Sequence, residues 1–240
     1  MHSLHINQIN MGRGKILNHL KLLFFCVMVL SIISCEKDPQ PEPYLGDNYF
    51  PLIEGKWIIY SIDSIVYNEF TQSIDTFKFE LKEKTGSVFI DNAGNESRQI
   101  ERYKRNSANE KWELSDIWVS TVNEARAEVV EENLKFVKLI FPVKKNKTWN
   151  GNAFNNMEAW DYEYISTHHP ESINNVSFDS TLTVQQIESY NLIETKNYKE
   201  IYAANIGLVS KEFIDVKTEV NGVIKSGFKF YQSIKSYGVN

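Results

Sequence analysis

Two carboxylates in a run of aromatic residues are the first candidates for chemistry. Asp161 and Glu163 are two positions apart within residues 157–165, and this spacing places both on one face of a β-strand. A pair of carboxylates is what glycoside hydrolysis requires. Acidic residues that alternate with tyrosines are equally typical of the solvent face of a strand. The pattern favours the solvent-exposed strand, so a hydrolase is only the third function considered.

Two adjacent histidines could bind a metal ion or transfer a proton. His168 and His169 are followed by Pro170, which predicts an extended loop. Adjacent residues of an extended segment point in opposite directions, so the pair cannot easily chelate one ion. The sequence also has none of the patterns of serine hydrolases, zinc proteases, P-loop proteins or dinucleotide-binding proteins. No catalytic residue, metal site or cofactor is predicted; enzymatic activity stays open, and a non-catalytic role is favoured.

Tryptophan is the third residue type that could form a site. All five tryptophans lie between residues 57 and 160, and aromatic residues make up 13% of the chain. Exposed rings stack on sugars or line apolar pockets, but large rings are also ordinary core residues of β-domains. Trp149 is the candidate ligand contact, because residues 144–155 around it are mostly polar.

The elements that must position these residues are β-strands. Residues 76–82 and 178–185 alternate between apolar and polar side chains, and residues 57–67 are rich in Ile, Tyr and Val. Helical signal is limited to residues 123–133 and to one or two possible turns in residues 198–205. The fold class is therefore all-β, mainly antiparallel: a single domain whose curled sheet forms a barrel or half-barrel. A two-layer β-sandwich is the alternative.

Two short loops predict β-hairpins. Asn221-Gly222 separates two strand-like runs, and these residue types tolerate the positive φ angles of a type I′ turn. Residues 91–95 (DNAGN) predict a second, longer hairpin loop.

The N-terminus predicts a secretory signal rather than part of the fold. Arg13, Lys15 and Lys21 precede an almost unbroken apolar run at residues 22–33, and Ser34-Cys35 follows. These twelve residues are too short to span a membrane, which takes about 20 apolar residues. We expect residues 1–34 to be removed as a signal peptide.

The residues around the predicted cleavage point resemble the lipobox of bacterial lipoproteins. That motif is an aliphatic pair, a small residue and a cysteine, here residues 32–35. The resemblance implies that Cys35 carries lipid and attaches the protein to a membrane. Residues 35–48 then form the lipidated cysteine and a Pro-rich linker, and residues 49–240 form the β-rich domain. The charged residues 36–38 resemble signals for display on the outer face of the outer membrane, which is favoured over a periplasm-facing position.

Charge and cysteine content exclude several classes of function. Residues 35–240 hold 23 Lys and Arg against 31 Asp and Glu. This acidic balance argues against nucleic acid as a partner. The only other cysteine, Cys26, lies in the predicted signal, so disulfides and thiol catalysis are not expected in the mature protein.

Four segments together resemble a group of Bacteroidota lipoproteins of unassigned function. Residues 49–60 match the opening Y-[FY]-P-L-x-x-G-x-x-W-x-Y, with Gly55 and Trp57 one residue closer than is common in that group. The likeness continues in residues 141–154, in residues 178–193 and in the motif YAxxIGLV of residues 202–209. It implies an exported, β-rich lipoprotein and no particular activity.

Three hydroxyls match a short pattern on which exported Bacteroidota proteins carry O-linked glycans. They are Ser64, Thr76 and Ser180, each preceded by aspartate. A glycan needs a hydroxyl that faces solvent. Strand alternation predicts that Thr76 faces solvent and that Ser64 and Ser180 point inward.

The predicted function is a lipid-anchored cell-envelope protein that acts as a non-catalytic binding or accessory module. Its partner would be a ligand, a glycan or another protein, whose identity the sequence does not give. The alternative is a structural envelope component that works through protein contacts.

Overall fold

The computed structural model describes residues 44–240, and these residues form a sheet of twelve antiparallel strands. The predicted signal peptide, Cys35 and residues 36–43 of the predicted linker lie outside the described residues. The strands are β1 (Lys56–Tyr67), β2 (Ile74–Ile90), β3 (Glu96–Arg105), β4 (Glu113–Val122), β5 (Arg126–Glu131), β6 (Leu134–Ile140), β7 (Thr148–Asn150), β8 (Asp161–Ile173), β9 (Val176–Tyr190), β10 (Glu194–Ala203), β11 (Gly207–Thr218) and β12 (Ile224–Val239).

Two runs of consecutive hairpins make up the sheet. The strand order is β6-β5-β4-β3-β2-β1-β12-β11-β10-β9-β8-β7, so β1–β6 and β7–β12 are each a meander, and β1 pairs with β12 to join them. The sheet curls into a nearly closed barrel whose edges are β6 and β7. The predicted all-β, antiparallel fold is confirmed, as a barrel and not as the alternative sandwich.

Side chains and backbone groups bridge the seam between the two edges. The amide of Val137 donates to the carbonyl of Gly151 at 2.9 Å, and the Trp149 indole donates to the carbonyl of Val137 at 2.9 Å. The Tyr164 hydroxyl accepts from the amide of Ile140 and donates to its carbonyl, at 2.9 and 2.8 Å. These bonds satisfy backbone groups that an open sheet edge would leave unpaired.

Both predicted hairpins form, but one turn type is different from the prediction. In the loop between β11 and β12 only Gly222 has a positive φ, and its amide donates to the carbonyl of Glu219. The loop is therefore a three-residue connection closed by a left-handed glycine, not a type I′ turn. In the loop of residues 91–95 the corresponding bond runs from the amide of Gly94 to the carbonyl of Asp91. Paired positive φ angles occur instead at Asn174-Asn175, between β8 and β9, and at Glu132-Asn133, between β5 and β6.

The helical expectation for residues 198–205 is wrong. Residues 198–203 belong to β10, which pairs with β9 on one side and β11 on the other. Bonds to two neighbours outweigh the weak local preference for helix. Among residues 44–240 the one helical element is the 3₁₀ turn Asp47–Tyr49. Within that same range, no helix is both long enough and apolar enough to cross a membrane.

The segment before β1 closes one end of the barrel. Tyr49 is fully buried in the main core cluster, and Leu45, in the predicted linker, packs against that cluster. The carbonyl of Asn48 accepts from the amide of Asn205, in the β10–β11 turn, at 2.7 Å. The segment thus links the start of β1 to the far meander and covers the interior described next.

Candidate functional site

A cavity of about 100 Å³, partly open to solvent, lies in the barrel beside residues 50–52 of the N-terminal segment. Such a volume has room for several water molecules or a small organic molecule. Apolar side chains form much of its wall, including Phe50, Leu52, Ile58, Ile100, Trp118 and Ile206. Its ionisable residues are Lys56, Tyr60, Glu83, Glu131, Lys138, Glu200, Tyr202 and Lys211.

The most deeply buried charge at the cavity is the carboxylate of Glu200. Its Oε1 lies 3.2 Å from Nζ of Lys138 and 3.1 Å from Nζ of Lys211, and its Oε2 accepts from the Tyr202 hydroxyl at 2.6 Å. Lys138 also lies 2.7 Å from Oε1 of Glu131. The strand register explains the contact between Glu200 and Lys211, because Glu200 on β10 is directly opposite Lys211 on β11.

These ion pairs keep the buried groups charged. Burial alone would raise the pKa of Glu200, but Lys138 and Lys211 lower it to about 2. Burial would lower the pKa of Lys138, but Glu131 and Glu200 raise it above its usual value. The pKa of Glu131 is also held below its ordinary value, against the effect of burial, by the two lysines. Buried charges of this kind are tolerated because each has a partner of opposite sign.

Lys56 is a buried cation of a different kind. It begins β1, is only 5% exposed, and its Nζ donates to the backbone carbonyl of Asn205 at 2.8 Å. No carboxylate of residues 44–240 lies within 4 Å of its Nζ. Burial lowers its pKa to about 8.

The remaining carboxylate of the cavity wall already has a cation. Glu83 Oε1 lies 3.1 Å from Nε of Arg102, whose guanidinium also lies 3.7 Å from Asp116. The same guanidinium sits 3.6 Å from the ring centroid of Trp118. Arg102 thus contacts Glu83, Asp116 and Trp118. Because the Glu83 carboxylate is paired with Arg102, it does not neutralise Lys56.

Aromatic side chains continue the cavity face of the sheet toward the other end of the barrel. The pairing register places Phe213 and Phe230 on the same face as Lys211, and Tyr198 on that face of β10. The rings of Tyr198 and Phe213 stack 4.4 Å apart. Phe77, on the same face of β2, is 54% exposed. This end is therefore less completely filled than the end that Tyr49 closes.

The structure places Trp149 in the core and not in an open loop. It lies on the short strand β7 and is 9% exposed, and its ring centroid is 4.6 Å from that of Tyr164. Its indole N–H donates to the carbonyl of Val137 on β6, across the seam of the barrel. A ligand contact by Trp149 stays a prediction.

The two histidines lie in β8 instead of the expected loop. His168 has a positive φ of 55° at an irregularity of the β8–β9 pairing, and its Nδ1 is 2.9 Å from the hydroxyl of Tyr49. His169 is exposed, with Nδ1 2.7 Å from the carbonyl of Pro170. A bulge, not a loop, accommodates the residues before the proline.

The carboxylates considered for glycoside hydrolysis lie on β8, away from the residues that line the cavity. Asp161 is exposed and Glu163 is partly exposed. At the cavity itself, Glu131 and Glu200 are ionised in their ion pairs, whereas a glycosidase acid must hold a proton. Residues 44–240 contain no group of three or more metal-ligating side chains.

The predicted modification sites fall in different environments. Thr76, on β2, is exposed, and Ser64, on β1, is partly buried. The hydroxyl of Ser180 is 2.7 Å from that of Tyr49. Modification of these residues stays a prediction, and the lipidation of Cys35 lies outside the described residues.

The sequence interpretation missed the charged residues of the cavity, although a signal was present. Glu200 stands between Tyr198 and Tyr202 at intervals of two, and Lys211 stands between Val209 and Phe213 in the same way. In a strand this spacing places the charge on the apolar face. A charge on that face predicts a buried ion pair or a polar site.

Comparisons with known proteins give fold likeness only. No family model and no curated protein matches the chain. A protein of Bacteroides fragilis described as exported, with a YmcC-like fold, is 12% identical with a TM-score of 0.43. A protein of Parabacteroides distasonis described as a lipoprotein is 13% identical with a TM-score of 0.46. Each covers 79% of this chain, and the alignments take in 98% of those chains. Both TM-scores are below 0.5, so neither likeness bears on function.

Proposed function

We propose that this protein is a lipid-anchored envelope protein whose barrel binds a small ligand without catalysing a reaction. The observation that carries the proposal is the cavity: a pocket of about 100 Å³, partly open to solvent, whose wall includes the buried cluster of Glu131, Lys138, Glu200 and Lys211. A ligand pocket combines apolar walls with a few fixed polar groups, and this cavity has both.

Filling the cavity tests the proposal. Ser120 is 1% exposed and lines the cavity, so Ser120→Leu should occupy part of its volume. Wild-type protein from the native host should carry a small molecule, seen by native mass spectrometry and released on denaturation. The Ser120→Leu variant should lose that molecule.

A matched control uses the same substitution on the barrel exterior. Ser61 on β1 is exposed, so Ser61→Leu should keep the ligand. Val129→Phe fills the same cavity from β5 and serves if Ser120→Leu fails to fold. Wild-type protein that carries no ligand, and that no member of a small-molecule library stabilises, would contradict the proposal. Capture of a protein partner by such an empty barrel would favour the structural envelope component instead.

Membrane attachment is the second part of the proposal. Cys35 is the sole cysteine left after removal of residues 1–34, so Cys35→Ala should release a soluble or unprocessed protein. Detergent partitioning measures this, and retention of the variant in the detergent phase would be evidence against the lipid anchor. Digestion of intact cells with a protease would separate display on the outer face of the outer membrane from a periplasm-facing position.

Glycosylation is the third part, and Thr76 is the best-placed acceptor because it is exposed. The intact mass of protein from its native host should exceed that of lipidated residues 35–240 by hexose increments. Thr76→Val should remove one glycan. A mass with no such increments would exclude Ser64, Thr76 and Ser180 together.

A further inference from the structure

We infer that the ligand of the cavity is a small organic monocarboxylate whose charge is held by Nζ of Lys56. The inference rests on the proposed function and specifies the chemistry of the ligand. It depends on one difference: every other charged group of the cavity wall lies next to an opposite charge, whereas Lys56 has no such partner among residues 44–240.

Each carboxylate of the wall has a cation other than Lys56. Glu83 pairs with Arg102, Glu131 with Lys138, and Glu200 with both Lys138 and Lys211. The nearest protein acceptor for Lys56 is a neutral backbone carbonyl, that of Asn205. An ammonium group has three N–H donors, and residues 44–240 supply an acceptor for one of them.

Burial makes this arrangement costly unless an anion completes it. Lys56 is 5% exposed, and an unpaired buried charge is strongly disfavoured. A ligand carboxylate would accept the two remaining N–H groups and supply the missing negative charge. It would form the same kind of pair that Glu200 makes with Lys211 in the cavity wall.

The rest of the wall limits the class of anion. The cavity wall also contains apolar groups, among them those of Phe50, Leu52, Ile58 and Ile206. A single cation among apolar side chains suits one negative charge with a compact apolar tail. A multiply charged anion such as phosphate would bring charge that the protein leaves unpaired.

Isothermal titration calorimetry of the full-length protein with isobutyrate and benzoate tests the inference. Isobutyramide and benzamide are the uncharged controls, and inorganic phosphate is the multiply charged one. At pH 7 the carboxylates should bind at least about tenfold more tightly than the amides. Above pH 8 their affinity should fall by about tenfold per pH unit as free Lys56 loses its proton. At pH 9, titrations in buffers of different ionisation enthalpy should show uptake of a proton on binding.

Two variants assign this behaviour to Lys56. Lys56→Met should abolish carboxylate binding and the proton uptake, whereas Lys56→Arg should keep part of the binding and lose the pH dependence. Lys78→Met removes an exposed lysine, with a side chain 72% exposed, and should change nothing. The remaining ionisable groups of the wall, including Tyr60, Tyr202 and the three paired glutamates, stay in place in all variants.

The results separate this inference from the proposed function. Amides that bind as well as carboxylates, or carboxylate binding that survives Lys56→Met, would overturn the assignment to Lys56. If wild-type protein carries a neutral ligand that Ser120→Leu excludes, the proposed function stands and the monocarboxylate inference falls. If neither carboxylate nor any other compound binds, both fall.

Discussion

Lys138 and Lys56 are two buried lysines that line one cavity, and their ionic partners are different. The Nζ of Lys138 lies within 3.2 Å of two carboxylates, and its pKa is raised despite burial. Within residues 44–240 the Nζ of Lys56 has one acceptor, the backbone carbonyl of Asn205, and burial lowers its pKa to about 8. The side chains are chemically identical and both nearly inaccessible. The difference shows that burial alone does not decide the charge state; the partner does.

The two lysines therefore have different roles in our interpretation. Around Lys138 each charge is compensated by the protein, so removal of one member should destabilise the fold. At Lys56 one charge is left for a ligand to compensate, so that charge is costly in the free protein. Four predictions test this contrast.

Removal of the central carboxylate should have the largest effect. Glu200→Gln leaves Lys138 and Lys211 buried without their shared anion, and breaking such a pair costs about 3–5 kcal/mol. Urea denaturation should show this loss in the free energy of unfolding. The control is Glu212→Gln on β11, whose carboxylate is 29% exposed and lies 3.9 Å from Lys199, and which should lose less than about 1 kcal/mol. Equal losses in the two variants would contradict the contrast.

Acid should remove the same contribution gradually. The pKa of Glu200 is about 2 in the folded protein, below its value in the unfolded chain of about 4.3. A lowered pKa stabilises the fold above the unfolded value, and that stability is lost as pH falls through the folded value. Wild-type protein should lose about 3 kcal/mol between pH 5 and pH 2 through this group. Unfolding free energies measured across that range should show a shallower loss for Glu200→Gln.

Two tyrosines of the cavity wall should differ in how much their hydroxyl groups stabilise the fold, with the larger contribution from the one bonded to Glu200. Tyr202 donates to the Glu200 carboxylate at 2.6 Å. The Tyr60 hydroxyl donates to the neutral carbonyl of Leu208 at 3.0 Å, and burial, together with the nearby Glu83 carboxylate, raises its pKa. A bond to a charged group is worth about 2 kcal/mol and a neutral one about 1 kcal/mol. Thermal denaturation should therefore rank Tyr202→Phe below Tyr60→Phe in stability. The reverse order of stability would mean that the hydrogen bond to the Glu200 carboxylate is not the stronger of the two.

Replacement of Lys56 should have the smallest effect, with the opposite sign. Lys56→Met removes a costly buried charge and one hydrogen bond, so we expect a gain of about 1 kcal/mol at pH 7. The folded pKa lies below the unfolded one, so the unfolded chain binds more protons between pH 8 and pH 10.5, and wild-type stability should rise with pH there. Urea denaturation at pH 7 and pH 9.5 should show that Lys56→Met lacks this rise. A large loss of stability at pH 7 would show that the protein itself compensates Lys56.

The sequence by itself determined the all-β class and the positions of the Asn221-Gly222 and 91–95 hairpins. Both follow from local physics: alternation at intervals of two, and residues that accept turn geometry. The turn type at Asn221-Gly222 was not determined locally, because the strands on either side set where the left-handed residue falls. Residues 198–203 were misread for a related reason, since their hydrogen bonds go to two strands that are distant in sequence.

Only the tertiary structure decided which side chains meet inside the barrel. Glu200 meets Lys211 through an adjacent strand, but it meets Lys138 across 62 residues, and no local pattern encodes that contact. Trp149 has a polar neighbourhood in the sequence, yet closure of the barrel buries its ring against Tyr164. Nothing in the sequence around Lys56 distinguishes it from other lysines of the chain. Its isolation is a property of the whole wall around it, because the absence of a partner depends on where every carboxylate of residues 44–240 lies in space.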